Sequence, residues 1–565
     1  MLCENQNTGG PAGQPAAARA PQGEATTMAN TAANGEVRTY DMVVVGAGFG
    51  GLYQMQRALE EGLSVVGFEA GKDVGGTWYW NRYPGARCDI PSLLYSYTWS
   101  DELRDSWRWS EKYATQPEIL DYARHVAERF DLKPHFQFET RVSSAVYDED
   151  AAEWSIETDT GEQVRARFCV MATGCLSVPK APDIEGAASF KGKTYVTGQW
   201  PHEKISFEGL RVAVIGTGSS AIQSLPLIAA EAKAVTVFQR TPNYSLPAFN
   251  REITTEERTA FEAFYPGYKQ ALQAGASPLP IPPIGYKPTE EELVASIQNM
   301  WNGDGLISLV QIPNLMRDAE TNARAGDYVR EQVKAIVKDP ETADALTPRD
   351  FPIGAKRACV DTDYFETFNK AHVTLVDLRK TPIEAITPTG VRTTAKAFEA
   401  DVIVYALGFD AMTGALNNID IRGRDGRALK DAWSEGPKTY LGVAVAGFPN
   451  LFLVTGPGSP SVLTNMMTAI EQHVDWITDA VSYLGERQIG AIEAKPDAQE
   501  AWVAHVNAEA DKTLFPQAAS WYLGANVPGK PRVFMPYIGE GYKGRCDKVA
   551  AGYEGFALTR RGEAA

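Results

Sequence analysis

Two short glycine clusters carry the most legible chemistry in this chain. Gly46-Ala47-Gly48-Phe49-Gly50-Gly51 follows the apolar run TYDMVVV, and Gly216-Thr217-Gly218-Ser219-Ser220-Ala221 follows RVAVI. In each, the first glycine permits a sharp turn and the second lets backbone approach a diphosphate. The third small residue, Gly51 or Ala221, lets a helix lie close to the strand it leaves. A helix beginning there offers free N–H groups and a positive dipole end to an anion. Each cluster therefore suits a dinucleotide, and the ends of the next strands separate the two. SVVGFEA ends in Glu69, about 20 residues beyond the first turn, where a carboxylate accepts from ribose hydroxyls; this assigns the first turn to FAD. AVTVFQRTPNY instead carries Gln239-Arg240-Thr241, a cation and a hydroxyl that suit the 2′-phosphate of NADP. Read alone, Glu69 is a surface glutamate and Arg240 an exposed arginine at a strand end. The matched strand, turn and helix around each favour the nucleotide reading, with NADPH on Gly216, Gly218, Ser219, Ser220, Arg240 and Thr241.

The elements that must position these residues follow from pattern. TYDMVVV and RVAVI are short apolar runs of buried strands, each running through a glycine turn into a helix. WSIETDT and RARFCVMATG read as strands returning to the first sheet, and VTLVDL and ADVIVYALGFD as later strands. Between them, ERTAFEAFYPGYKQAL and EELVASIQNMWNG are polar and helical. The expected fold class is α/β, with two Rossmann-like dinucleotide-binding domains, for FAD and NADP, and a helical insertion. The expected segments are a disordered N-terminal extension (1–38, with Met28 as an alternative start) and a first FAD-binding part (39–175). A first NADP-binding part (176–245), the helical insertion (246–345) and a second NADP-binding part (346–400) follow. A second FAD-binding part (401–565) carries a mobile active-site loop.

Composition narrows the function classes. A chain of 565 residues exceeds one ordinary core, so two or three domains are expected. The formal net charge of −17 argues against nucleic acid or an anionic membrane as partner. There is no apolar run of about 18 residues and no secretory signal pattern, so no membrane span is expected and a cytoplasmic location is. Six scattered cysteines and six dispersed histidines form no CxxC or HxxxH pair, which leaves no structural metal and points to reduced thiols.

A longer signature surrounds the turns. The run Gly75-Gly76-Thr77-Trp78-Tyr79-Trp80-Asn81-Arg82-Tyr83-Pro84-Gly85-Ala86-Arg87-Cys88-Asp89 resembles the flavin-side motif of the type I Baeyer–Villiger monooxygenases. The linker from Phe190-Lys191-Gly192 to Trp200-Pro201 resembles that family's fingerprint. IGAKR (353–357), GPGSPS (456–461) and SWYLGANVPGKPRVFMP (520–536) continue the similarity. It spans roughly residues 39 to 560 and looks closest to the phenylacetone and steroid monooxygenase branch.

The resemblance implies that NADPH reduces FAD, that the flavin takes up O2 as a C4a-peroxide, and that this attacks a ketone to give an ester or lactone. It implies that Arg357 is the catalytic cation, stabilising negative charge on the peroxide and its adduct, and that Asp89 orients it. Asp89 is also readable as a helix cap. Lys356 would hold the NADP phosphate, Trp521 would contact the nicotinamide cofactor from a mobile loop, and Gly76, Thr77, Trp78, Asp89 and Tyr95 would surround the flavin. The implied partners are O2 and a small aliphatic, aryl or cyclic ketone, with the protein a monomer or weak oligomer.

Three departures stand out. Val196 replaces the fingerprint histidine and can neither ionise nor donate a hydrogen bond. Leu407 replaces a small hydroxyl residue in ALGFD, and IGEGYKGRCDKV after Tyr537 differs from the usual glycine-aromatic segment. Three rival readings share the turns. An N-hydroxylase or a flavin monooxygenase acting on nitrogen or sulfur would lack the Gly75–Asp89 motif and IGAKR. A disulfide reductase would need a CxxxxC pair. A flavin-binding sensor that no longer oxygenates would leave the remaining motifs unexplained.

Overall fold

The computed structural model describes residues 37–560. The expected N-terminal extension and Met28 lie outside the described residues, apart from Val37 and Arg38, and Arg38 already pairs with Val164 in the first sheet.

That sheet runs, in spatial order, Asp420–Arg422, Val142–Asp148, Glu153–Thr158, Gln163–Met171, Arg38–Val45, Val65–Phe68 and Phe136–Gln137. Leu451–Leu453 pairs with the far half of Gln163–Met171, at Cys169 to Met171. Arg38–Val45 is parallel to both neighbours and buried on both faces over its last four residues. An inner parallel strand needs such a continuous apolar run, because helices or other layers cover each side. Side chains alternate between the sides: Met42 and Val44 join one apolar cluster, Val43 and Val45 another. The helix Phe49–Glu60 lies on the first of these faces beside Met466–Glu486, the long helix supplied by the far end of the chain.

The second sheet is parallel throughout, in the order Val373–Asp377, Ala234–Gln239, Arg211–Ile215, Val402–Tyr405, Lys193–Val196. It repeats the alternation, with Val212 and Val214 in one cluster and Ala213 and Ile215 in another. Its helix Ser219–Glu231 follows Gly218 as Phe49–Glu60 follows Gly48. Helices Thr255–Gln273, Glu290–Asn302, Leu306–Val310, Ala319–Ile336 and Pro340–Leu346 fill the interval read as helical.

One expected boundary is corrected. Val402–Tyr405, expected from sequence in the second FAD-binding part, pairs with Arg211–Ile215 and Lys193–Val196. The second sheet thus extends at least to Tyr405, and the chain re-enters the first sheet at Asp420–Arg422 and Leu451–Leu453. An apolar run VIVY suits either buried sheet, so pattern alone could not choose its neighbours.

Candidate active site

Both glycine turns open at the C-terminal ends of their strands into one cleft of about 1170 Å³, where open α/β sheets present a crevice for ligands. The turns are built alike. Gly46 N–H donates to the Phe68 carbonyl at 2.8 Å, and Gly216 N–H to the Phe238 carbonyl at 3.1 Å. Gly46 (φ +104°) and Gly216 (φ +111°) occupy backbone that favours glycine. The helices that follow start at Gly48 and Gly218 with no side-chain cap and no acid in the first turn. Four helices elsewhere take Thr254, Thr289, Asp318 and Asp339 as caps, each worth roughly 1 kcal/mol, while Gln116–Arg129 and Pro496–Asp511 lack a side-chain cap but have proline in the first turn. Two uncapped N-termini facing one cleft fit two pyrophosphates, which would satisfy the same N–H groups.

Beyond the backbone the turns diverge. Glu69 is buried; its Oε2 accepts from Ala47 N–H at 2.8 Å and its Oε1 from Gly71 N–H at 2.7 Å. Burial pushes its carboxyl up from the ordinary range, against those amide bonds. At the second turn Thr217 Oγ1 donates instead to the Thr241 carbonyl at 2.9 Å. Gln239, where an acid would stand, turns away and donates to the Ala345 carbonyl. Arg240 is exposed at the cleft, and Lys356 lies 4.3 Å from the centre of the Phe351 ring. Burial, then Arg240, hold the Lys356 ammonium below its usual value. Among the described residues neither cation is within ion-pair distance of a carboxylate, so an anion in the cleft would meet two uncompensated charges.

Between the turns sits the pair that sequence joined only by resemblance. Arg357 Nε donates to Asp89 Oδ2 at 2.5 Å, Nη2 to Oδ1 at 2.7 Å, and Nη1 to the Val462 carbonyl at 2.8 Å. Burial opposes the guanidinium charge, but the Asp89 carboxylate outweighs it and holds the pKa above its ordinary value. Asp89 spends both oxygens on this grip and caps no helix.

The remaining expected residues lie around this pair. Gly76, Thr77, Trp78, Tyr95, Ser219, Ser220, Thr241 and Trp521 all line the cleft. Trp78 Nε1 donates to Tyr95 Oη at 3.2 Å. Gly51 alone among the expected cofactor residues does not line it. A Cβ there would stand 1.8 Å from the Gly46 carbonyl oxygen, so its role is to let helix meet turn.

Sequence reasoning missed Lys180, which lines the cleft and donates to the Asn526 carbonyl. It also missed Gln223, one turn into the second helix. Its only signal was the spacing of four from Ser219. Val196 and Leu407 pack against one apolar cluster, with Val196 paired to Tyr405. The altered segment sends Tyr542 inward. His473 Nδ1 accepts from Thr455 N–H at 3.0 Å and its Nε2 lies 2.7 Å from Tyr542 Oη, whose hydroxyl donates to the Leu441 carbonyl. Burial lowers the His473 pKa to about 4, which keeps the ring neutral in this chain of bonds.

Two nucleotide-binding turns facing one cleft, with a guanidinium fixed in its wall, define a protein of the two-dinucleotide type. Residues 40–251 match the family model described as flavin-binding monooxygenase-like. A solved steroid monooxygenase bound to NADP is 47% identical, with a TM-score of 0.88, over 92% of this chain and 100% of that one. Cyclohexanone 1,2-monooxygenase of Acinetobacter sp. is 39% identical over 92% of this chain and 96% of its own length. Acetone monooxygenase (methyl acetate-forming) of Gordonia sp. strain TY-5 is 38% identical over 92% and 99%. The chain belongs to the type I Baeyer–Villiger monooxygenase family. It is an FAD-containing, NADPH-dependent enzyme that inserts one oxygen atom beside a ketone carbonyl. Among the described residues no helix is long and apolar enough to cross a membrane.

Proposed function

We propose that Arg357 is the catalytic cation of this reaction, that Asp89 orients it, and that the substrate is an apolar ketone. The observation that carries this reading is the two-armed Asp89–Arg357 grip inside the cleft that both nucleotide turns share. A guanidinium held at both Nε and Nη2 cannot swing away as negative charge develops near it, so it stabilises that charge without reorganising. When bound, the flavin, reduced by NADPH, supplies oxygen activated from O2.

The chain's own residues do the rest. Glu69 accepts from the ribose of FAD, and the uncapped end at Gly48 takes its pyrophosphate. Ser219 and Ser220 open the helix that takes the NADP pyrophosphate, while Arg240, Thr241 and Lys356 hold the 2′-phosphate. Trp521, in a short turn opened by Ser520, covers the nicotinamide side. Ile90 and Val462, beside the ion pair, present apolar surface to the ketone. Relatives named for a steroid, cyclohexanone and acetone support the ketone class across a wide range of sizes. We propose that the enzyme works as a monomer or weak oligomer in the cytoplasm.

The test is product analysis over open-chain, aryl and cyclic ketones for the wild type, Arg357→Ala and Arg357→Lys. Wild-type enzyme consumes NADPH faster with a suitable ketone and yields ester or lactone. Both variants keep FAD and are reduced by NADPH, but lose at least about 100-fold in ester formation, because lysine cannot make the two-armed grip. Undiminished ester yield from Arg357→Ala overturns the role of Arg357. Hydrogen peroxide as the sole product across the panel overturns the ketone reading.

A further inference from the structure

The Asp89–Arg357 pair borders the second nucleotide side from both of its ends. On one side Arg357 follows Lys356, which lines the cleft with Arg240 and feels its charge. On the other, Asp89 is two residues from Arg87, whose carbonyl accepts from Gln223 Nε2 at 3.1 Å. Gln223 belongs to the helix that starts at Ser219, four residues on and therefore on the same helical face. Its Oε1 accepts from the Tyr83 hydroxyl at 2.8 Å, and Ser220 faces that hydroxyl too. Tyr83 and Gln223 are both buried. The backbones meet as closely: a Cβ on Gly85, at φ +77°, would stand 2.4 Å from the Gln223 carbonyl oxygen.

We propose that Tyr83 and Gln223 form a positioning clasp that conveys occupancy of the second nucleotide turn to the Asp89–Arg357 pair, so that NADP sets where the gripped pair, moving as one unit, stands in the cleft. This rests on the reading that the Gly216 turn holds NADP. The physical case is economy of path. An anion at the helix N-terminus acts on Ser219 and Ser220, and one turn later the same rigid helix holds the Arg87 carbonyl. Every polar atom of the Gln223 amide is aimed at the flavin-side motif, although packing against that motif needs no amide. A buried amide that loses either bond is left unsatisfied, so the clasp has an engaged state and a costly broken one.

The clasp is tested in FAD-loaded holoenzyme with Tyr83→Phe, which removes one oxygen atom, and Gln223→Glu, which keeps shape. Glutamate still accepts from Tyr83 but turns a lone pair on the Arg87 carbonyl. Four quantities are read: FAD content, KM for NADPH, the change in the flavin spectrum on adding NADP+, and the share of NADPH oxidised to hydrogen peroxide (NADPH + H⁺ + O2 → NADP⁺ + H2O2) instead of ester. Both variants are expected to keep FAD, with KM within about three-fold. The NADP+-induced spectral change shrinks, the peroxide share rises several-fold, and ester turnover falls about ten-fold, one unsatisfied buried bond's worth. The double variant adds little to the worse single, because both cut one path.

Wild-type coupling and spectral change in both variants overturn the clasp. So does a loss of FAD and of every rate in step with thermal stability, which marks a structural role only. Arg240→Ala is run alongside. A raised KM in Arg240→Ala with fully coupled clasp variants overturns the clasp and leaves the NADP reading standing; an unchanged KM overturns both.

Discussion

The two glycine turns share a backbone plan and differ in what closes around it. At the first, the protein itself completes the site. Glu69 is buried and pinned by Ala47 and Gly71, and Gly48 packs on Gly76, whose own Cβ would stand 2.8 Å from the Gly48 Cα. At the second, a Cβ on Gly218 would meet nothing within 4 Å, Arg240 is exposed, and burial and the Arg240 charge hold the Lys356 ammonium below its usual value. The first site is shaped for a ligand that stays and is part of the core; the second for one that binds and leaves. This matches FAD as a resident group and NADPH as a reactant, with the proposed catalytic cation Arg357 in the cleft they share.

The largest effect that would break this contrast is at one glycine of each turn, Gly51 in the first and Gly218 in the second. Gly51→Ala drives a methyl group into the Gly46 carbonyl, and the expected outcome is loss of soluble yellow protein. Gly218→Ala meets open space, so the variant is expected to fold with full FAD and lose only NADPH affinity; FAD content of the two purified proteins decides. Equal behaviour would remove the asymmetry. Next in size, Arg240→Ala should raise KM for NADPH about 10- to 100-fold, the worth of one charged hydrogen bond, with kcat for ketone conversion and FAD content held. Steady-state kinetics with NADPH and NADH sharpen this, since the preference between them should collapse.

The smallest effect concerns one buried carboxyl on each side. Burial pushes Glu471, which accepts from Thr98, and Asp361, which accepts from Ser245, each up to about 7. In the unfolded chain both titrate near 4. The folded chain therefore holds protons the unfolded chain has released, and the stability this adds is lost as pH rises through about 7. Melting temperature should fall by a few degrees between pH 6 and pH 8.5. Glu471→Gln and Asp361→Asn should each flatten part of that fall, and melts that stay parallel to wild type would refute the assignment.

How much of this was legible beforehand depended on whether the signal was local. The turns, Glu69, Arg240 and the alternation of Met42 to Val45 were readable because strand, turn and helix follow one another within about 25 residues. Asp89 and Arg357 lie 268 positions apart, and no spacing rule joins them; a family motif named both, and only the fold shows the two-armed contact. Val402–Tyr405 was misplaced because an all-apolar strand carries no mark of its sheet. Val196 read as a missing polar group. In place it ends a strand beside Tyr405 and packs, with Leu407, on an apolar cluster, so both departures make one region more apolar.

Gly46, Gly48 and Glu69, and Gly216, Gly218 and Arg240, carried by themselves the expectation that two dinucleotides bind and that the second has a 2′-phosphate. Those requirements are met by backbone and side chains close together in the chain. Tertiary structure alone decided that the two sites open into a single cleft, that Asp89 closes on Arg357, and that Gln223 reaches from one nucleotide helix to the motif of the other. These contacts bridge more than a hundred residues, and they exist because the inner parallel strands of two sheets turn their C-terminal ends toward one space.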